Sequence, residues 1–209
     1  MRPYKTIHIE AKTERVINRS RFISQCFPVK TEEEALLRLS EVKKQYPDAT
    51  HVCYAYRIGE NSETTRFSDA GDPSGTAGMP ILEVLKAKGL TYVLCTVTRY
   101  FGGILLGAGG LVRAYSSGAA DASAAAGADM HLPGVLIKMK CDYSRYGAIG
   151  SLMAKSNASI IDTQFTDEVQ LSVSAAKEDA DAIIKAVIER TDGRCKPEIA
   201  GECELVIPC

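Results

Sequence analysis

The sequence predicts an α+β protein of two domains. The chain has 209 residues, which is enough for one large or two small domains. Segments with helical and with strand periodicity alternate along it. Gly127 and then Pro133-Gly134 mark a turn between two differently composed halves, so we place the domains at residues 1–134 and 135–209. Apolar residues make up 45% and charged residues 24%, a balance that excludes a disordered tail or a disulfide-stabilised miniprotein.

Local signals predict the elements of the first domain. Thr31 and Glu34 form a capping box ahead of apolar residues at helical spacing, and Pro47 ends that helix. Alternation predicts a strand at His51–Ile58, and an unbroken apolar run predicts a central strand before the glycines. In order we expect a strand over 21–29, a helix over 32–46, a strand over 51–58, a polar loop over 59–78, a helix with Pro80 in its first position, a strand over 92–98, a glycine loop over 100–110 and a helix over 111–126 whose small residues allow close packing.

The second domain follows a strand–helix–strand–strand–helix–strand order, which is typical of a ferredoxin-like split βαβ unit. Its elements are expected at 135–141, 146–156, 159–165, 168–174, 179–191 and from 198 to 207. The aromatic residues Tyr143, Tyr146 and Phe165 are too few to indicate an RNA-stacking sheet. A docking role for this domain is the simpler interpretation.

The charge balance restricts the partners that the protein can bind. Lys and Arg total 25 against 26 Asp and Glu, for a net charge of -1, which argues against a generic polyanion binder. Residues 1–134 carry 16 basic and 14 acidic residues, and residues 135–209 carry 9 and 12. Seven cysteines without a CxxC pair or metal spacing indicate a reducing cytoplasm and no metal. No apolar stretch is long enough to cross a membrane, and the N-terminus is too charged for a secretory signal.

Two segments could carry function. The first, Arg66–Pro80, contains Asp69, Asp72, Ser74, Gly75 and Thr76, and it leads into a helix N-terminus, where backbone amides favour an anion. A long connecting loop held by Asx turns is the alternative interpretation.

The second segment, Thr98–Arg113, runs from an apolar strand through a glycine loop into a helix, which is the local architecture of a phosphate-binding turn. Arg99 and Arg113 bracket this loop, and both could bind one anion. Neither GxGxxG nor a Walker A motif is present, and we expect the protein to act without a cofactor. A tight turn flanked by surface arginines is the alternative. The candidate residues are Arg99, Tyr100, Gly102, Gly103, Gly107, Gly109, Gly110 and Arg113.

Taken together, the segments at His51–Ile58, at 66–85 and at 97–116 resemble the IMPACT/YigZ family. The resemblance implies a first domain like the second domain of a small-subunit ribosomal protein, with a mixed sheet and helices on one face. It also implies a second domain similar to the ferredoxin-like domains of elongation factor G. Two positions depart from the family pattern: Ala70 stands where an Asp is usual, and Leu105 stands where a Lys is usual.

The resemblance further implies a link to translation, because eukaryotic relatives restrain an amino-acid-starvation kinase by competing for its ribosome-bound activator. We therefore expect a regulatory binding protein that docks on RNA, the ribosome or a translation-related protein. Arg66, Arg99 and Arg113 would supply charge, and Ser74, Thr76 and the loop amides would supply hydrogen bonds. This requires the two segments to converge and the arginines to be free of their own carboxylates.

Two other classes of function remain open at this stage. An enzyme acting on a small phosphorylated or carboxylate substrate would use Asp69 or Asp72 as a base, and a raised carboxylate pKa in a closed cavity would favour it. A purely structural interaction scaffold would instead show an exposed apolar patch and no anion site. The sequence does not indicate an oligomeric state.

Overall fold

The computed structural model describes residues 1–209, which divide into two compact units. The N-terminal unit comprises Tyr4–Met130 with Pro208–Cys209, and the C-terminal unit comprises His131–Ile207 with Met1–Pro3. Helices and antiparallel sheet occur in both, so the predicted α+β class is confirmed. No helix is both long and apolar enough to cross a membrane.

The N-terminal unit holds the short strand β1 (Tyr4–Ile7) and a sheet of five further strands. The elements that follow β1 are β2 (Ala11–Ile17), β3 (Ser20–Pro28), α1 (Glu32–Gln45), β4 (His51–Ile58), β5 (Thr64–Ser68), α2 (Gly78–Ala87), β6 (Val93–Tyr100) and α3 (Gly107–Ala125). The sheet order is β2-β3-β6-β4-β5, which confirms the predicted central position of β6.

Every strand pair in this sheet is antiparallel, which corrects the expected mixed sheet. Two of these four pairs are hairpins. β2 and β3 are joined through Asn18 and Arg19 alone, and both residues have positive φ (46° and 64°), as a tight hairpin turn requires. β5 returns along β4 after the longer connection 59–63, within the segment that the sequence predicted as an irregular loop.

Helices cover both faces of the sheet, which corrects the expectation of helices on one face. Phe22, Cys53 and Cys95 point to the face that α2 and α3 cover. Phe27, Val52 and Leu94 point to the opposite face, which α1 covers. Strand alternation therefore supplies two apolar layers. α3 approaches closely, because a Cβ on its Gly118 would stand 2.4 Å from Ser24 Oγ.

The C-terminal unit follows the predicted element order. It consists of β7 (Ala128–Cys141, which begins in the N-terminal unit), α4 (Tyr143–Met153), β8 (Ala158–Phe165), β9 (Val169–Ala176), α5 (Ala180–Arg190) and β10 (Glu198–Pro208). The strand order is β10-β7-β9-β8, with β7 and β8 antiparallel to β9. Both helices pack on one face, around a core that includes Ile137, Ile149 and Val187.

Candidate functional site

The two glycine-bearing segments converge on the carboxylate of Asp72. Asp72 lies in the loop between β5 and α2, and it accepts a 2.5 Å bond from the Arg99 guanidinium near the end of β6. The hydroxyl of Tyr115 on α3 donates to the other carboxylate oxygen. Asp72 is 7% exposed, Arg99 is 5% exposed and Tyr115 is fully buried. We call these three residues, together with His51 and Cys53, the hub.

His51 and Cys53 lie at the start of β4 and complete the hub. The Nδ1 of His51 donates to the Ala70 carbonyl at 2.9 Å, and its Nε2 lies 3.4 Å from Asp72 Oδ1. The Cys53 thiol contacts the Asp69 carbonyl at 2.9 Å and the Tyr115 hydroxyl at 3.3 Å. Burial raises the pKa of Cys53 to about 12, so the thiol stays protonated and acts as a donor.

Sequence reasoning did not place Tyr115, His51 or Cys53 at the site. Two of them carry a signal that was available, because alternation puts His51 and Cys53 on one face of β4. Tyr115 lies about two helical turns into α3, in a stretch of small residues, and nothing local marks it as a partner of Asp72. Only the packing of α3 against the sheet reveals that role.

Asp69 holds the start of α2 in place. Its carboxylate accepts the backbone N–H groups of Gly75, Ala77 and Gly78 at 2.8–2.9 Å. Burial alone would raise the pKa of Asp69, but these three bonds outweigh it and the pKa is lowered. The backbone amides expected to bind an external anion at this helix N-terminus are therefore already bonded to the carboxylate of Asp69.

The rest of the 66–80 loop is also held by internal bonds. Thr76, expected to contact a partner, is buried, and its hydroxyl donates to the Pro73 carbonyl at 2.6 Å. Ser74 and Gly75 are exposed. Gly71 has a φ of 95°, and a Cβ there would lie 3.2 Å from the His51 ring. Internal hydrogen bonds therefore fix the shape of this loop, and its tip is exposed to solvent.

The three arginines do not form a common anion receptor. Arg99 is buried and paired with Asp72, and its guanidinium lies 5.7 Å and 5.5 Å from the centres of the Phe22 and Phe101 rings. Arg66 is exposed on β5, 4.0 Å from the Glu32 carboxylate. The expectation that Arg99 offers its charge to a partner is therefore wrong, since a neighbouring carboxylate already neutralises that charge.

The segment 100–110, expected as a glycine loop, is partly helical, and the loop itself is short. α3 begins at Gly107, so Gly109 and Gly110 lie inside its first turn. Gly102 packs on the β2–β3 turn, where a Cβ would stand 2.1 Å from the Arg19 carbonyl carbon, and its N–H donates to Ser20 Oγ at 3.2 Å. Gly103 is exposed and has a φ of 82°. Tyr100 lies under the Arg21 guanidinium, 5.7 Å from its ring centre.

Apolar side chains project from this loop into solvent. Leu105 is 84% exposed, and Phe101 and Ile104 are also exposed. Val112 and Arg113 follow on the exposed side of the first turns of α3. We call these five residues the glycine-loop surface.

Comparison with known proteins shows the family to which the chain belongs. The model of the Impact N-terminal domain matches residues 18–123, which contain the whole hub and the glycine-loop surface. The chain belongs to the IMPACT family. A second model, a domain of unknown function called DUF1949, matches residues 139–194.

Bacterial members of the IMPACT family resemble the chain over most of its length. YvyE of Bacillus subtilis is 37% identical over 191 residues, which cover 91% of this chain and 88% of that protein. YigZ of Escherichia coli is 35% identical over 160 residues, covering 76% and 78%. Protein IMPACT of Oryctolagus cuniculus is 37% identical over 92 residues, covering 43% of this chain and 29% of that protein. A crystal structure of a hypothetical protein aligns with a TM-score of 0.62 at 29% identity, covering 95% and 98%.

Proposed function

We propose that the protein is a translation-associated regulatory binding protein that docks on a protein partner through the glycine-loop surface. The observation that carries the proposal is the exposure of Phe101, Ile104 and Leu105 on one short loop. Neighbouring apolar side chains exposed in this way are characteristic of interaction sites. The link to translation rests on kinship with Protein IMPACT.

The loop is anchored for binding, because its first residues are tied to the sheet and its last residue leads directly into α3. Gly102 is fixed against the β2–β3 turn, and the Phe101 N–H donates to Thr50 Oγ1 at 2.9 Å. Beneath it, the buried Asp72–Arg99 pair holds the end of β6. A loop whose conformation is set in advance loses less entropy on binding, and Leu105 at its tip can enter a pocket on a partner.

The charges at this site favour a protein over RNA as the partner. Arg113 is the one cation of the glycine-loop surface, and it makes no ion pair with a carboxylate of the chain. A single free cation gives a weak, salt-sensitive attraction to phosphates. The lowered pKa of Asp69 likewise supports binding over the enzyme alternative, because a general base works best with a raised carboxylate pKa.

A pull-down from lysate, with and without nuclease, tests the proposal with two variants. Leu105→Asp should abolish capture of a translation-related protein, because it places a charge at the centre of the apolar contact. Leu37→Asp is the matched control, since Leu37 is 61% exposed on α1, which covers the sheet face opposite α3. Capture that nuclease abolishes, or that Arg113→Ala removes while Leu105→Asp leaves it intact, would show RNA binding instead.

A further inference from the structure

A cavity of about 430 Å³ lies between α1 and the β2–β3 edge of the N-terminal sheet, on the face opposite α2 and α3. Arg38 and Glu41 of α1 form one wall, and Lys12 of β2 forms the other. The cavity exists because β2 presents Lys12 and other polar side chains to this face, so no apolar layer closes it against α1. Its volume lies within the range of small-molecule sites.

A buried carboxamide forms the floor of this cavity. Gln25 is only 8% exposed, and its side-chain oxygen has no hydrogen-bond partner. In the sheet it stands between Lys12 on one side and Thr96 on the other, and the buried Thr96 hydroxyl also lacks a partner. Buried polar groups in folded proteins are nearly always hydrogen-bonded. An N–H or O–H donor from a molecule in the cavity would satisfy Gln25.

The rim carries two exposed charges of opposite sign, Lys12 and Glu10, that take part in no ion pair within 4.0 Å. The Lys12 ammonium lies 5.5 Å from the centre of the Tyr46 ring and has no carboxylate within 4.0 Å, while Glu10 likewise makes no ion pair. Glu14, two residues along β2 from Lys12, is held by Arg21. Arg38 and Glu41, in contrast, are paired with each other at 3.1 Å, and Arg38 covers the Phe27 ring.

We infer that this cavity is a binding site for a zwitterion of the α-amino-acid class. The carboxylate of the ligand meets Lys12, its ammonium meets Glu10, and a polar hydrogen of the ligand bonds to the carboxamide of Gln25. A cation and an anion on one rim favour a molecule that carries both charges, because each charge of the ligand then meets an opposite charge of the protein. The inference is independent of the glycine-loop surface.

The test begins with the full chain and each of the twenty L-amino acids, scored by the rise in thermal unfolding midpoint. The amino acid with the largest rise is then titrated calorimetrically, together with its analogues that lack either the carboxylate or the amine. Lys12→Met and Gln25→Leu should each weaken binding about tenfold, equivalent to about 1.4 kcal/mol, and each analogue should likewise bind about tenfold more weakly than the amino acid. Lys44→Met is the control, because Lys44 is exposed on α1 and does not line the cavity.

Gln25→Leu also separates loss of binding from loss of folding. It removes a buried polar group that has no partner, so the unliganded variant should melt no lower than the parent protein. The inference is overturned if no amino acid raises the midpoint, if binding survives both substitutions, or if an analogue with one charge binds as tightly as the zwitterion.

Discussion

Breaking the buried Asp72–Arg99 pair should destabilise the N-terminal unit strongly, and removing both charges should cost much less than the two single changes combined. Both side chains are more than nine-tenths buried, so either charge left alone loses its opposite charge and gains no water in exchange. Without Arg99, Asp72 keeps only the hydrogen bond from Tyr115 and the His51 ring 3.4 Å away. Loss of one partner of such a pair costs about 3–5 kcal/mol. We therefore expect that range for Asp72→Asn and for Arg99→Gln.

The double variant shows whether the two residues act as a pair. Asn and Gln are neutral and can bond to each other, so no bare charge remains buried in the double variant. Its cost should fall below the sum of the single costs by a coupling of up to about 3 kcal/mol. Arg113→Gln is the control, because this exposed arginine has no carboxylate partner and its loss should change stability by less than about 0.5 kcal/mol.

Urea unfolding followed by tyrosine fluorescence measures these costs. The chain has nine tyrosines and no tryptophan, and only Tyr143 and Tyr146 lie in the C-terminal unit, so the signal reports mainly on the N-terminal unit. The linear dependence of unfolding free energy on urea then gives each cost. Single costs below about 1 kcal/mol, or costs that simply add in the double variant, would refute the reasoning.

Three further outcomes are expected. The pKa of Asp69 in the folded protein lies below the usual 3.8, so its carboxylate stabilises the fold fully at pH values above 3.8, and this stabilisation is lost as the pH falls through the folded pKa. Asp69→Asn should therefore flatten the acid side of a plot of unfolding free energy against pH. An unchanged slope would contradict this. Gly102→Ala should lower the free energy of urea unfolding by about 1–3 kcal/mol, because the added Cβ would meet the Arg19 backbone. Gly109→Ala, in an open helical position, should instead raise it by about 0.5–1 kcal/mol. Equal effects of the two substitutions would exclude the proposed clash. A thiol reagent should label the exposed Cys209 of the native protein first, and faster labelling at another site would show that the buried thiols are accessible.

Sequence patterns predicted the elements whose signals are local. α1 begins directly after Thr31 and ends at Gln45, one residue before the predicted end, with the Glu34 N–H bonded to Thr31 Oγ1 as expected. The bounds of β4 were predicted without error, and the unbroken apolar run of β6 correctly indicated a central strand. β2 and β5 were missed because edge strands bury little, and their polar composition looks like loop.

The sequence by itself determined the family, the α+β class and the two segments that meet at the site, because capping, periodicity and motif spacing are encoded over a few neighbouring residues. Only the tertiary structure decided what those segments do. Asp72 and Arg99 are 27 residues apart, and their pairing depends on how β6 lies beside β4. The sequence shows Arg99 as a cation beside a glycine loop, but the fold buries it against the Asp72 carboxylate, which neutralises its charge. The residues next to Arg99 in the chain do not indicate that partner.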